Sequence, residues 1–313
     1  MVSAIVILVL GLVVLIFFSE QLVKATVGTS LGFGLSPFLI SVIFIGFDPE
    51  NLALGVVAAR EETVGLALGS ILGAAMVAVA LAFGLTALIV PMRFATAPAA
   101  VLAVPPLALI LLYALCLDGR LGRIDGAVLL AGFSAALIWL IRLSRRGADI
   151  KAGGEVAETL QKTRPVRRWR AAALLLVALV AIVVASELVV VATRDILALT
   201  GLSGTVVGMS VLALAVSLEE LGRELPAALK GRPDISYGNV AGSALAFFLF
   251  NAGLIALAAP LPVSGLVLRF YFPLCLAAVL VVTVLMALKT VPRAGGALLV
   301  ALYIGFFVGG YLL

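Results

Sequence analysis

The 313-residue sequence contains no histidine, two cysteines and only 12% charged residues, against 64% hydrophobic ones. Each shortage excludes something. Without histidine the chain lacks the usual transition-metal ligand and the side chain that most readily titrates near neutral pH. No H-E-x-x-H metalloprotease motif can be written either. Cys116 and Cys275 both fall in apolar runs and read as buried, inert thiols, since nothing in their placement suggests a disulfide frame or a metal pair. A soluble domain is nearer half apolar and a quarter charged. The apolar excess here does not fit inside a soluble core, so the sequence reads as an integral membrane protein. Its long, nearly uncharged stretches favour helices over a barrel of short alternating strands. Met1 to Phe18 has no basic n-region and no clear cleavage site, which makes it a first span rather than a signal peptide.

Ten apolar runs are long enough to span a bilayer: roughly 2–23, 34–59, 63–91, 97–117, 123–143, 170–193, 203–229, 235–260, 264–288 and 294–313. The second is broken near Gly46-Phe47-Asp48-Pro49, where proline removes a helix hydrogen bond. Of the 21 lysines and arginines, fifteen fall in or beside connections after odd-numbered runs and five in or beside those after even-numbered ones; Arg223 is assigned to neither and stands deep within a run. By the positive-inside rule the odd connections are cytoplasmic, and both termini are expected outside the cell membrane. Ser144 to Arg168 is the only sizeable polar segment. Its basic cluster RPVRRWR reads as a topology signal with affinity for anionic headgroups, not as a nucleic-acid site. The expected organisation is residues 1–143 and 170–313 as two five-helix units joined by a cytoplasmic linker, 144–169.

The two units echo each other. Ser19-Glu20-Gln21-Leu22-Val23 matches Ser186-Glu187-Leu188-Val189, and Gly34-Leu35-Ser36 matches Gly201-Leu202-Ser203, both at an offset of 167. Ala67 to Ala74 matches Ser236 to Ser243 at 169, with a shared Gly-x3-Gly spacing. Five helices per unit turn the second copy over, which predicts an all-α membrane fold of ten helices in two inverted repeats, with a transport site between them.

The most unusual stretch is Val206 to Gly253. Glu219, Glu220, Arg223 and Glu224 stand inside an apolar run, followed by KGRPD and a second run opening Tyr237-Gly238-Asn239 and Gly242-Ser243. Ionisable groups at bilayer depth cost about 2.5–3.5 kcal/mol each on insertion scales and mark function by default. Glu220 and Glu224 are i, i+4 neighbours, as are Glu219 and Arg223, which can pair. In the first half Asp48, Glu50 and Asn51 flank the proline break, where freed carbonyls can assist carboxylates in holding cations. A polar loop at the outer surface is the other reading of that stretch, and a purely structural salt-bridge cluster the other reading of the glutamates. Asn239 and Ser243 lie four apart on one helix face, with Ser70 and Gly73 as first-half counterparts; Asn239 supplies either a ligand oxygen or a helix–helix hydrogen bond. Glu20 and Glu187, placed near the ends of the first and sixth helices, read as interface anchors, and Asn251 as packing.

The pattern VVGMSVLALAVSLEEL followed by KGRPDISYGNVAGSA resembles the alpha repeat of the cation/calcium exchanger superfamily, a helix ending near G-T-S-x-P-E and a helix opening G-N-x-x-G-S-N. FIGFDPENL in the first half is similar but about three residues shorter. The resemblance places Glu220 at the ion-binding glutamate, Ser217 at the serine of T-S, Gly238-Asn239 and Gly242-Ser243 on the second motif, and Pro49-Glu50 on P-E. It implies a secondary antiporter exchanging Ca²⁺, or another metal or monovalent cation, against Na⁺ or H⁺ by alternating access. The candidate ion ligands are Glu50, Asp48, Glu220, Glu224, Ser217, Asn239, Ser243 and Ser70. The resemblance also implies that the first and sixth helices slide across the core, which gives Glu20 and Glu187 a gate role as the alternative to interface anchors. No resident cofactor is expected. Departures from the motif remove oxygens: Ala244 stands for an asparagine, Val216 for the threonine, Ser70 for the first-half asparagine, and Gly73-Ala74-Ala75 for a whole triplet. Calcium takes six to eight oxygen ligands, so calcium as cargo does not follow, and an exchanger-fold carrier of another solute, or a structural membrane protein without transport, stays open. An intramembrane enzyme is not expected: Asp48 is the only aspartate embedded in an apolar run, which leaves an aspartyl dyad without a second member.

Overall fold

The computed structural model describes the backbone of residues 1–32, 48–94, 99–145, 168–231 and 233–313. The first part of the second apolar run and nearly all of the basic linker lie outside these residues. The described residues form helices and four two-residue strands; the helices are α1 Val2–Gly32, α2 Pro49–Arg60, α3 Val64–Ile89, α4 Val104–Cys116, α5 Arg123–Arg145, α6 Arg168–Thr200, α7 Gly204–Leu229, α8 Ser236–Ala258, α9 Val267–Ala287 and α10 Arg293–Leu312. Eight of the described helices are long and apolar enough to cross a membrane. The other two are α4, which follows a short helical turn at Ala99–Leu102, and α2, the described part of the second run. Membrane spans are required because apolar side chains cover the outside: Leu10, Val13 and Phe17 on α1, and Leu176 and Val180 on α6, are each more than half exposed. Water does not tolerate so large an apolar face, whereas acyl chains do.

Helices α3 and α8 form the centre. The α3 span is 83% buried and that of α8 78%, against 22% for α1, which packs along α6 at the periphery. Small residues let the central helices close on one another. A Cβ added to Gly69 would lie 2.2 Å from the Gly208 carbonyl oxygen, and one on Gly208 2.3 Å from that of Gly65, so α3 and α7 touch backbone to backbone.

Several features recur at one spacing. The wide π-type turns Val77–Ala82 and Ala246–Asn251 stand 169 residues apart. So do the strands β1, Met92–Arg93, and β3, Leu261–Pro262, while β2, Arg120–Leu121, precedes β4, Thr290–Val291, by 170. The pairing is crossed: β1 joins β4 and β2 joins β3, both antiparallel, with Arg93 opposite Thr290 and Arg120 opposite Pro262. Each sheet therefore ties residues before 143 to residues after 170. Directly opposed residues sit about 4.5–5.5 Å apart at Cα, within disulfide range. With Cys116 and Cys275 replaced by serine, Arg93→Cys combined with Thr290→Cys is expected to cross-link on oxidation and to run faster on a non-reducing gel. An unchanged band would show that these edges do not meet.

Candidate ion-binding centre

The first part of the centre is the start of α2. Asp48 is its N-cap, in a non-helical conformation, with Oδ1 accepting from the Asn51 backbone N–H at 3.1 Å. Pro49 follows at the first helical position, where its missing N–H costs nothing. The helix N-terminus favours the carboxylates of Asp48 and Glu50 through its unsatisfied N–H groups. Asp48 is 4% exposed, and Glu50 and Asn51 not at all, so this is an interior site rather than the outer-surface loop the sequence left open. Asn51 is its hub. Its Nδ2 donates to Asp48 Oδ2 at 3.0 Å and to Ser217 Oγ of α7 at 3.0 Å, a bond across 166 positions of sequence.

The second part lies between α7 and α8. A turn residue, Leu218, interrupts α7, and the helix resumes with Glu219–Leu229, which carries Glu220 and Glu224. Both glutamates are buried. Asn239 repeats the chemistry of Asn51: its Nδ2 donates to Glu220 Oε2 and, at 3.2 Å, to Glu224 Oε1. Ser243 Oγ donates to Glu220 Oε1 at 3.2 Å, and Ser236 Oγ to the Glu224 carbonyl oxygen at 2.8 Å. Ser217 precedes Glu220 by three residues, so the Asn51–Ser217 bond brings the two parts within about a helical turn of one another.

Each amide is oriented by what it donates to. Carboxylate and hydroxyl acceptors fix the NH₂ side, which turns the carbonyl the other way, and Asn51 Oδ1 and Asn239 Oδ1 have no hydrogen-bond partner. Buried acceptors left so are uncommon in folded proteins. Among the described residues no three of Cys, Asp and Glu gather as a compact metal cage. The oxygens present are carboxylate, amide and hydroxyl, the donor types that suit a hard cation.

Seven of the eight sequence candidates thus take part in two hydrogen-bonded groups or stand beside them. Ser70 differs: its hydroxyl donates to its own helix at Ala67 O, 2.8 Å away, and rests against α2, where a Cβ on Gly55 would lie 2.4 Å from it. Asn51 carries more of the geometry than the sequence suggested. The signal was its place one residue beyond Pro49-Glu50. The expected Glu219–Arg223 pair lies outside the described side chains. Asn251 is buried, and neither of its amide atoms has a hydrogen-bond partner. One expectation is corrected. Glu20 and Glu187 are not near helix ends, because α1 runs twelve residues past Glu20 and α6 thirteen past Glu187. Both helices continue through stretches where hydropathy predicts connections.

Fold and centre together define a polytopic helical membrane protein with a buried carboxylate–amide group where its central helices meet. The chain belongs to the sodium/calcium exchanger protein family, whose model matches residues 3–142 and 170–311. It is 26% identical over 315 residues to CaxA of Alkalimonas amylolytica, covering 98% of both chains. Among solved structures it resembles the H⁺/Ca²⁺ exchanger CAX at 17% identity, with a TM-score of 0.75 over 96% of this chain and 80% of the other. It also resembles the sodium–calcium exchanger NCX_Mj at 24% identity, with a TM-score of 0.61 over 97% of each. At these identities the structural likenesses speak for the fold alone.

Proposed function

We propose that this protein is a secondary antiporter of the cell membrane that moves a cation against Na⁺ or H⁺ by alternating access. The observation that carries the reading is the pair of asparagine hubs. Asn51 holds one buried carboxylate and Asn239 two through the NH₂ group, and each leaves its carbonyl oxygen to a cation. In this reading Glu50 and Glu220 are the central ligands. Asp48, Asn51, Glu224, Ser217, Asn239 and Ser243 complete the site, and Ser70 enters it only when its own-helix bond opens. Residues 1–143 and 170–313 form two inverted five-helix repeats, the basic linker 144–169 is cytoplasmic and both termini are outside. The spacing of 169–170 residues between matching turns and strands, and their crossed pairing, support that arrangement. The family and the provisional antiporter name of the relative CaxA support the activity.

The oxygens lost from the family motif argue for a cargo content with fewer ligands than calcium's six to eight. The test is flux in proteoliposomes with a pH dye inside and Na⁺, K⁺, Ca²⁺, Mn²⁺ or Mg²⁺ outside. Proton movement driven by at least one of these, or uptake of one of them driven by an opposing Na⁺ gradient, is expected. A flat pH trace for every ion together with no Na⁺-driven uptake of any of them, from folded protein, would remove the antiporter reading.

A further inference from the structure

Asn251 is 1% exposed, yet neither its amide nitrogen nor its oxygen has a hydrogen-bond partner. The carboxylate centre makes no use of it. A buried amide unpaired at both ends is uncommon and needs an explanation, the more so inside a membrane, where bulk water does not satisfy it. Its surroundings follow from the packing of two helices. Asn251 is the last residue of the wide turn Ala246–Asn251 of α8, and that turn packs against α2 and against Gly69–Gly73 of α3. One helical turn further on, Ile255 meets α2: a Cβ on Gly55 would lie 2.3 Å from Ile255 Cδ1. Residues four apart share a helix face. Asn251 therefore belongs to the face of α8 that Ile255 turns towards α2, and Asn51 to the face of α2 that carries Gly55.

The two helices run the same way past this contact. Asn51 of α2 and Ser243 of α8 stand in the centre, whereas Gly55 and Ile255 touch nearer the helix ends, Arg60 and Ala258. Four residues before the contact on each helix, Asn51 and Asn251 are thus level with one another, on facing sides. No hydrogen bond joins them. Asn51 commits both hydrogens of its Nδ2 to Asp48 and Ser217, which leaves its Oδ1 as an acceptor only. Nothing holds the Asn251 amide either way round, so its oxygen is able to turn to the same point. The sign of an occupant follows from the charges nearby. Among the described side chains every buried charged group is a carboxylate, namely Asp48, Glu50, Glu220 and Glu224, and these favour a cation over an anion. Amide oxygens suit a hard cation and bring no charge of their own, which fits a monovalent ion better than a divalent one.

We propose that Asn251 and Asn51 hold a second, monovalent cation between α2 and α8, on the Ile255 side of the carboxylate centre. The inference rests on the antiport reading in so far as it takes that centre for an ion site, and it adds a position beside it. Asn51 belongs to both: its NH₂ group orders the centre and its oxygen faces the added ion.

The test is the melting midpoint of purified protein in lipid nanodiscs, titrated with NaCl or KCl against choline chloride at constant ionic strength. An ion that binds only the folded state raises stability as its concentration passes Kd. Glu220→Gln removes the central charge and isolates the second position. In that variant a saturable rise with Na⁺ or K⁺ is expected, and adding Asn251→Leu should raise the half-saturating concentration at least tenfold. Leucine keeps much the same volume without polar atoms, so an Asn251 that serves packing alone would leave the salt dependence unmoved. An equal half-saturating concentration with and without Asn251, or no saturable rise in Glu220→Gln, would overturn the proposal. Flux decides the antiport reading separately: flux with an unmoved salt dependence removes only the second position, and a flat flux trace with an Asn251-dependent rise removes only the antiport. Should Asn251→Leu fail to fold, Asn251→Ala decides by the same comparison.

Discussion

Glu220→Gln is expected to reduce cation-coupled flux about a thousandfold while leaving the protein folded. Two unit charges about 4 Å apart interact by roughly 4 kcal/mol at an effective dielectric constant near 20, and each 1.4 kcal/mol is worth about a factor of ten. Glutamine keeps the shape and one acceptor oxygen for the Asn239 Nδ2 and Ser243 hydroxyl donors that Glu220 receives, so packing and most of the hydrogen bonding survive. What is removed is the charge that offsets the arriving cation. Flux should therefore fall far more than stability, and a melting curve on the same preparation separates the two. Glu50→Gln, at the start of α2, is expected to behave alike, because it sits equally deep at a helix N-terminus. Wild-type flux in both variants would mean that the carboxylates serve the fold and not the cargo.

The second large effect is on folding. Gly208→Ala places a Cβ 2.3 Å from the Gly65 carbonyl oxygen and 2.9 Å from the Leu66 Cα. Both are backbone atoms of α3, so no side chain can swing aside. Overpacking usually costs about 1–3 kcal/mol, and a clash with backbone belongs at or above the upper end, since two central helices must separate. A loss on the order of 3 kcal/mol is a large part of a typical stability of about 5–15 kcal/mol. The expected readout is a large drop in melting temperature and in yield of folded protein. Gly222→Ala is the control. It lies on the same helix with nothing within 4 Å of the added atom, and alanine there should be neutral or better by about 0.5–1 kcal/mol. Equal behaviour of the two variants would show that α3 and α7 are not in backbone contact.

The sequence by itself determined what is set by composition and by short-range spacing. Apolar excess dictates a membrane protein, because no soluble core holds that much apolar surface. Charged side chains inside an apolar run mark Glu220 and Glu224, because bilayer depth is costly for them. The offset matches foretold the recurrence of turns and strands at 169–170 residues, since similar local sequence builds similar local structure. The chain's own pattern also placed Asn239 and Ser243 on one face of α8.

Tertiary structure decided what depends on contacts between distant segments. The bond from Asn51 to Ser217 spans 166 positions, and no local pattern specifies it. The same holds for the exchange of strand partners between β1–β4 and β2–β3. Hydropathy placed the ends of α1 and α6 too early, because the polar residues Lys24 and Arg194 look like loop. In the fold each has an ion-pair partner: Lys24 pairs with Glu20 along its own helix at 3.0 Å, and Arg194 with Glu61 across helices. Ser70 looked equivalent to Asn239, yet its short side chain satisfies itself on its own helix, whereas the longer amide of Asn239 reaches across to two glutamates. Reach and partner, which only packing supplies, separate a residue that could belong to the centre from one that organises it.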